Sequence, residues 1–125
     1  MEQALRFELI KAIPELNNSI HPTNAPEGVV KPYLVYTRIT TRKIKTFAGY
    51  EDKQALSFMF SIMATSYGKM KDLAKQVEDL LVTLAKTEIG ANNIYIQDLD
   101  INNINEVYEN ELKVNRGIID FTIYY

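Results

Sequence analysis

The chain has 125 residues, of which 46% are hydrophobic, and it carries a formal net charge of −2 with no cysteine. The length suits one domain, so we expect residues 1–125 to form a single domain. The lack of cysteine excludes disulfides, thiolate nucleophiles and cysteine-based metal sites, and favours an intracellular protein. The small net charge favours neither nucleic acid nor an anionic membrane as partner, and no apolar run approaches the roughly 18 residues of a membrane helix. Charged residues within positions 1–15 also argue against a secretory signal.

The first part of the chain predicts one helix and one strand. Apolar residues at helical spacing predict a helix over residues 2–13, which Pro14 should end. Prolines and a glycine favour an irregular loop over residues 17–31. β-Branched and aromatic residues predict a strand from Tyr33 to Thr41, followed by a polar connecting loop over residues 42–54.

The middle of the chain carries the clearest periodic patterns. Strict alternation of apolar and other residues predicts a strand from Leu56 to Met63. An unbroken 3.6-residue apolar period predicts an amphipathic helix over residues 69–86, with Gly90 as a plausible stop. A strand is predicted from Ile94 to Ile101, followed by a polar turn from Asn102 to Glu111.

The closing segment from Val114 to Tyr125 predicts a final strand with apolar residues on both sides. Ile119, Phe121 and Ile123 alternate on one side, and Ile118 and Tyr124 lie on the other. We expect a sheet to hold this end of the chain, because an untied end would be disordered.

The element order is therefore α-β-β-α-β-β. Strands joined by short connections pair antiparallel most easily. We predict an α+β fold in which a mainly antiparallel sheet of about four strands packs with two helices.

The residues that catalysis requires are missing or isolated. His21 is the only histidine and lies next to a proline, with no carboxylate nearby in sequence to orient it. The five glycines are scattered, so no phosphate-binding loop is predicted, and the serines have no histidine partner. We expect no enzymatic activity, no catalytic residue and no cofactor.

One segment resembles a calcium-binding loop in its spacing. Asp98, Asp100 and Asn102 alternate, and Glu109 follows at a distance, as in an EF-hand. The sixth position is Asn103 rather than glycine, and the preceding residues predict a strand where an EF-hand needs a helix. The same spacing is plain strand alternation, so we expect no metal site here.

One local cluster of positive charge surrounds the predicted loop over residues 42–54. Three interpretations are open: a solvated loop, a contact with a neighbouring subunit, or a small nucleic-acid-binding module that contacts phosphate. The candidate residues for a subunit or DNA contact are Arg38, Arg42, Lys43, Lys45, Phe47 and Tyr50. Few aromatic residues lie among these charges, so base stacking has little support.

Several apolar residues remain after two helices have been assigned to cover the sheet. A monomer rarely exposes a large apolar patch, so this surplus predicts an interface, which could close copies into a ring. The alternative is that each sheet face receives one helix and nothing is left over. The candidate interface residues are Leu34, Tyr36, Met59, Met63, Ile118 and Tyr124.

The ordered set of elements resembles a phage family, the tail completion or tail-to-head joining proteins of long-tailed phages and prophages. The resemblance runs along nearly the whole chain. It rests on the N-terminal helix, a proline-containing loop, a proline-aromatic strand start, a glycine-containing loop, the alternating strand with its following helix, and a closing arginine-hydrophobic-aspartate-hydrophobic strand. The short segments among these are Pro22–Gly28, Pro32–Tyr36, Phe47–Tyr50 and Asn115–Phe121.

This resemblance implies a non-enzymatic virion component at the tail-head junction, made in the cytoplasm of the bacterial host. It implies a ring, expected to be hexameric, that caps the tail tube and docks it to the head connector. The implied partners are further copies of the chain, the tail tube protein, the head connector protein and DNA passing through a central opening, with no membrane. The additional asparagines over residues 92–105 depart from the family pattern.

Overall fold

A computed structural model gives the fold and describes residues 1–16, 19–23, 32–46, 49–110 and 113–125. Within these residues, the elements follow one another in chain order as two helices, seven strands and one short 3-10 helix at Pro14–Leu16. They are α1 (Glu2–Ala12), β1 (Ile20–Pro22), β2 (Tyr33–Thr46), β3 (Gly49–Ala64), α2 (Tyr67–Thr83), β4 (Thr87–Ile89), β5 (Ile94–Ile96), β6 (Asp98–Glu109) and β7 (Val114–Tyr124).

The main sheet has five strands in the order β1-β2-β3-β7-β6, and β4 and β5 form a separate pair. All pairings are antiparallel except β1 with β2, which run parallel. The predicted α+β class, with two helices and a mostly antiparallel sheet, is therefore confirmed. The predicted strand number is wrong, because β1 adds a strand at one edge and β4-β5 forms a hairpin of its own.

The core lies between one face of the sheet and the two helices. Leu5 and Leu9 of α1 and Leu73 of α2 are buried in the same cluster as the alternating residues of β3 and β7. The helices approach the sheet closely, since a Cβ on Gly117 of β7 would lie 2.9 Å from Met70 Sδ. Hence both helices cover the same sheet face, which we call the helix face.

Three phenylalanines form the centre of this core. Phe60 and Phe121 meet edge to face, with ring centroids 4.8 Å apart, and Phe58 stacks on Phe121 at 5.6 Å. Each ring is at most 1% exposed. Full burial of one such side chain contributes about 1.5–3 kcal/mol, so the strands β3 and β7 are held together mainly by this cluster.

The predicted connecting loop over residues 42–54 is wrong, because β2 and β3 continue through most of this segment as a hairpin. Its rows run from Lys43 opposite Gln54 to Thr46 opposite Gly49. The chain end joins only the first of these rows, where Gln54 and Tyr125 exchange two backbone hydrogen bonds. We call residues 43–53 the hairpin arm. Four residues of strand extend about 14 Å. The arm pairs with no third strand in the described residues, so it has no need of the alternating apolar pattern that identifies a strand.

The predicted strand from Ile94 to Ile101 and the polar turn from Asn102 to Glu111 are also wrong. The strand is divided into β5 and β6, and β6 extends through most of the predicted turn. It pairs with β7 on one side and ends the sheet. An edge strand with solvent along its length tolerates asparagine and glutamate, which explains its polar sequence.

The predicted helices exist with shifted ends. The second begins at Tyr67, since Ser66 caps it by accepting a hydrogen bond from the Lys69 amide at 3.3 Å. Gly90 does not end this helix but lies in the turn between β4 and β5 with φ near 75°. Within the predicted loop over residues 17–31, Ile20–Pro22 form β1, and residues 17, 18 and 24–31 lie outside the described residues.

Candidate assembly surfaces

The second face of the sheet has no helix over it in the described part of the chain, and we call it the open face. The strand registers assign its residues, because directly opposed residues of antiparallel strands point to the same side. One row consists of Val35, Ser61, Ile118 and Asn105, and the next of Thr37, Met59, Asp120 and Asn103. The interpretation in which one helix covers each face is therefore wrong.

The six candidate interface residues fall on different faces. Leu34 is fully buried on the helix face, and Tyr36 packs against the core on the same face. Leu34 was predicted as surplus apolar surface, and that prediction is wrong because helix α1 and strand β1 help to enclose that end of the core. Tyr36 is only partly buried, and its role in an interface stays a prediction. Met59, Met63, Ile118 and Tyr124 lie on the open face and are half-buried. Their role in an interface stays a prediction.

Polar side chains separate these apolar residues on the open face. Arg116 donates to the Ser61 hydroxyl at 3.2 and 3.0 Å and to Glu109 at 3.1 Å. Ser57 and Thr122 share a hydrogen bond at 3.0 Å between their hydroxyls. Polar and apolar groups therefore alternate on the open face. This mixture is more typical of a protein–protein interface that contains water than of the apolar core of a domain.

The basic cluster does not form one patch. Arg38 lies on the helix face, where it pairs with Glu2 and stands 6.0 Å from the Phe58 ring centroid. Arg42 lies opposite Ala55 on the open face, because a β-bulge between Arg38 and Thr40 switches the alternation.

The ion pair with Arg38 changes the pKa of Glu2. Partial burial of Glu2 raises this pKa, but the hydrogen bond from Arg38 and its positive charge outweigh the burial, so the pKa of Glu2 is lowered.

The other candidates of this cluster lie on the hairpin arm. Lys43 is exposed, and the backbones of Lys45 and Tyr50 are directly paired in the arm. Phe47 lies outside the described residues. The arm sequence contains Lys43, Lys45 and Lys53 together with Glu51 and Asp52. Its contact with a neighbour or with DNA stays a prediction.

The edge strand β6 carries a surface that the sequence analysis missed. Ile104, Val107 and Tyr108 are 43%, 46% and 53% exposed, and all three lie on this strand. The sequence analysis missed these exposed residues because it predicted a turn from Asn102 to Glu111. The signal that was available is the recurrence of isoleucine, valine and tyrosine among the asparagines, which is unusual for a turn.

Two contacts hold β6 to helix α2. Lys71 Nζ lies 2.5 Å from one oxygen of the Glu106 carboxylate, and the Tyr67 hydroxyl donates to the other at 2.7 Å. The hydrogen bond from the Lys71 ammonium lowers the pKa of Glu106 most, and the hydrogen bond from the Tyr67 hydroxyl lowers it further. The same carboxylate raises the pKa of Lys71 and of Tyr67.

The path of β6 separates the residues that have the spacing of a calcium-binding loop. Asp98 and Glu109 are the two ends of this strand, and eleven residue-to-residue steps of extended chain place them about 37 Å apart. Asn102 bonds Thr122 instead, and Glu109 pairs with Arg116. Among the residues described, no three histidine, aspartate or glutamate side chains come together to hold a metal ion.

The structure also describes the surroundings of His21 and the length and hydropathy of the two helices. His21 lies in β1, with its ring 6.3 Å from that of Tyr33, and is not grouped with acidic residues that could hold a metal in the described part of the chain. Over the same residues, neither helix has the length and hydropathy needed to cross a membrane.

Comparison with known proteins decides the family. A family model described as tail completion protein gp17 matches residues 6–125. The chain belongs to this family. The resemblance proposed from the ordered elements is therefore confirmed for a tail completion protein, and a structural assembly role is supported.

A solved structure shares the fold of this tail completion protein. A chain from the structure entitled "Virion of native gene transfer agent (GTA) particle" aligns with a TM-score of 0.73, covering 99% of this chain and 92% of that one. At 13% sequence identity the likeness is one of fold. No curated protein matches the chain.

Proposed function

We propose that this chain is a non-enzymatic virion assembly protein that caps the tail tube and joins it to the head connector. It acts as a ring of identical copies, with six as the expected number, around an opening through which DNA passes. The observation that carries this proposal is the family match over residues 6–125, because the family is described by its role in tail completion.

The fold supports a place in the particle. The structural neighbour belongs to a virion of a gene transfer agent and covers almost the whole chain. On this proposal the protein resides in the virion at the tail-head junction, after synthesis in the cytoplasm of the bacterial host. Its partners are other copies of itself, the tail tube protein and the head connector protein.

The arrangement of charge gives the nucleic-acid-binding alternative less support. Arg38 is partly neutralised by Glu2 on the helix face, while Arg42 points to the open face. A phosphate-binding module presents its cations on one surface, so a contact with DNA fits better as a property of the assembled opening than of a single copy.

The test uses a phage that encodes this chain, with that gene deleted. We expect separate heads and tails in electron micrographs of the lysate, and joined particles when the purified wild-type protein is added. Joined infectious particles from the deleted phage without any addition would refute the proposed role.

A second variant tests the hairpin arm, which we propose contacts a neighbouring subunit or the next ring. Residues 44–53 are replaced by Asn-Gly, which joins the paired residues Lys43 and Gln54 by a two-residue turn. We expect a folded protein that no longer joins heads to tails. Val82→Thr, at an exposed position of α2, serves as the control that retains joining. Full joining by the shortened variant would show that the arm is dispensable.

A further inference from the structure

Strand β6 offers a complete unpaired edge. It is 12 residues long and pairs only with β7 among the described residues. Ile104 on its helix face and Val107 on its open face are both exposed. The strand contains neither lysine nor proline, two residues that commonly protect an edge from pairing. An edge of this kind adds a strand from another chain readily.

Strand β2 offers a partial edge on the opposite side of the sheet. The parallel strand β1 pairs only with Leu34 to Tyr36, and Thr23 donates one further hydrogen bond to the Tyr36 carbonyl. From Thr37 onward, no described segment pairs with this side of β2. Ile39 is 57% exposed there.

The directions of the strands allow these two edges to meet. β2, β3, β7 and β6 alternate in direction, so β6 runs antiparallel to β2. A second copy placed beside the first, with the same face outward, would therefore add its β2 to β6 in the antiparallel sense that the rest of the sheet uses. Each contact joins two different edges, and such a heterologous arrangement gives a ring when the rotation between copies closes.

The charges of the two edges are complementary. Residues 98–109 contain Asp98, Asp100, Glu106 and Glu109 and no basic residue, whereas residues 33–46 contain Arg38, Arg42, Lys43 and Lys45 and no acidic one. Internal pairs occupy Arg38, Glu106 and Glu109. Arg42 and Lys43 on one edge, and Asp98 and Asp100 on the other, have no ion pair in the described structure.

The register places the complementary charges at the same level. Arg42, Ala55, Tyr124 and Asp98 form one row across the open face, with Arg42 and Asp98 at its two ends. Extending the sheet along this row brings Arg42 of one copy opposite Asp98 of the next. A stagger of two residues, which keeps the faces matched, brings it opposite Asp100.

We infer that β6 of each copy pairs antiparallel with β2 of its neighbour, over residues 98–103 and 37–42, and that Arg42 forms an intersubunit ion pair with Asp98 or Asp100. This inference rests on the proposed ring and names its joint. Strand β1 sets the limit of the contact, since it already occupies β2 at Leu34 to Tyr36.

Cross-linking tests the joint in assembled particles, and the natural lack of cysteine makes the background clean. The variant Arg42→Cys/Asp98→Cys is treated with a short bismaleimide, whose spacer tolerates a two-residue stagger. We expect a ladder of covalent multimers that ends at the ring size, and only monomer from Arg42→Cys or Asp98→Cys alone. Arg42→Cys/Tyr95→Cys, with the second cysteine on exposed β5, should give no ladder.

Joined particles that contain the double-cysteine protein but yield no multimers would overturn the edge pairing and leave the tail-joining role intact. Dimers from one single-cysteine variant would also overturn it, because they indicate a twofold contact. Failure of the proposed function would be seen separately, as joined particles in the complete absence of the protein.

Charge reversal provides a second measurement. Arg42→Asp and Asp98→Arg should each reduce joining roughly tenfold or more, because each places like charges across the contact. An equimolar mixture of the two variants should restore joining, since each supplies the partner charge that the other lacks. The same mixture with Asp100→Arg in place of Asp98→Arg tests the register with a two-residue stagger. Restoration in neither mixture would contradict the ion pair.

Discussion

Gly90 lies so close to Ala4 that a Cβ added to it would be 2.7 Å from the Ala4 Cβ and 2.9 Å from its Cα. Gly90 also has φ near 75°, which side-chain-bearing residues rarely adopt. Its amide receives further support from Glu8, whose carboxylate accepts a hydrogen bond at 3.1 Å. Thus the turn between β4 and β5 is fitted against α1 by a single residue that has no side chain.

The first prediction follows from this contact. Gly90→Ala should lower the free energy of unfolding by about 1–3 kcal/mol, since backbone strain and a clash with helix backbone act together. Urea denaturation of the purified protein measures it. Gly68→Ala is the matched control: Gly68 lies in the first turn of α2, its nearest neighbour is 3.7 Å away, and we expect no loss of stability. Equal losses in both variants would contradict the close approach.

The second prediction concerns the aromatic centre. Phe121 touches both Phe58 and Phe60, so Phe121→Ala should cost about 3–5 kcal/mol and could unfold the protein at ambient temperature. Phe121→Leu keeps most of the volume and should cost considerably less. Tyr95→Ala, at a 51% exposed position, should change the urea midpoint little. A small loss for Phe121→Ala would mean that β3 and β7 are not held by this cluster.

The third prediction separates the two faces of the sheet. Leu34→Ala should lower the free energy of unfolding by about 2–5 kcal/mol, because Leu34 is fully buried under the helices. Ile118→Ala, on the open face, should cost less than half as much in the isolated protein. Thermal unfolding of both variants under one buffer condition makes the comparison. A larger loss at Ile118 would show that the open face is already covered in the free chain.

The fourth prediction concerns pH and the pair that Glu106 forms with Lys71. The folded-state pKa of Glu106 is lowered below its usual 4.5, so its contribution to stability is present above that value and is lost as the pH falls through the lowered pKa. Glu106→Gln should therefore lower the urea midpoint slightly at neutral pH, and the difference should vanish at pH values well below 4.5. The effect is small because the pair is solvent-exposed.

Glu88→Gln is the matched control for that measurement. Glu88 is exposed on β4 and makes no ion pair among the described residues. Its midpoint should follow the wild type at every pH. A difference between Glu106→Gln and wild type that persists at low pH would show that the loss comes from packing rather than from charge.

The parts of the fold that sequence patterns predicted are those with one buried side. Strand β3 was identified from its alternation because Leu56, Phe58, Phe60 and Ile62 all enter the core. Helix α2 was identified for the same reason, from Met70 to Leu81. Burial on one side imposes the period that reasoning from the sequence detects.

The parts that were missed lie at the edge or beyond the end of the sheet, or have irregular pairing. The hairpin arm and β6 need no apolar alternation, so they were predicted as a loop and a turn. The face of Leu34 was predicted wrongly because the adjacent residues Leu34 and Val35 are both apolar but point to opposite faces of the sheet. The sequence alone does not show which of the two side chains enters the core. The bulge near Ile39 then divided the basic cluster between two faces, and a bulge leaves no local signature in these residue types.

Bulges interrupt both strands of the inferred contact at almost the same height, one between Arg38 and Thr40 of β2 and one between Ile101 and Asn103 of β6. An inserted residue bends the strand that carries it and increases its local twist. Under edge pairing, this bend would recur at every joint and set the angle through which each copy turns from the last. The circumference of the assembly, and with it the width of the passage, would then depend on two inserted amino acids rather than on any contact at its centre.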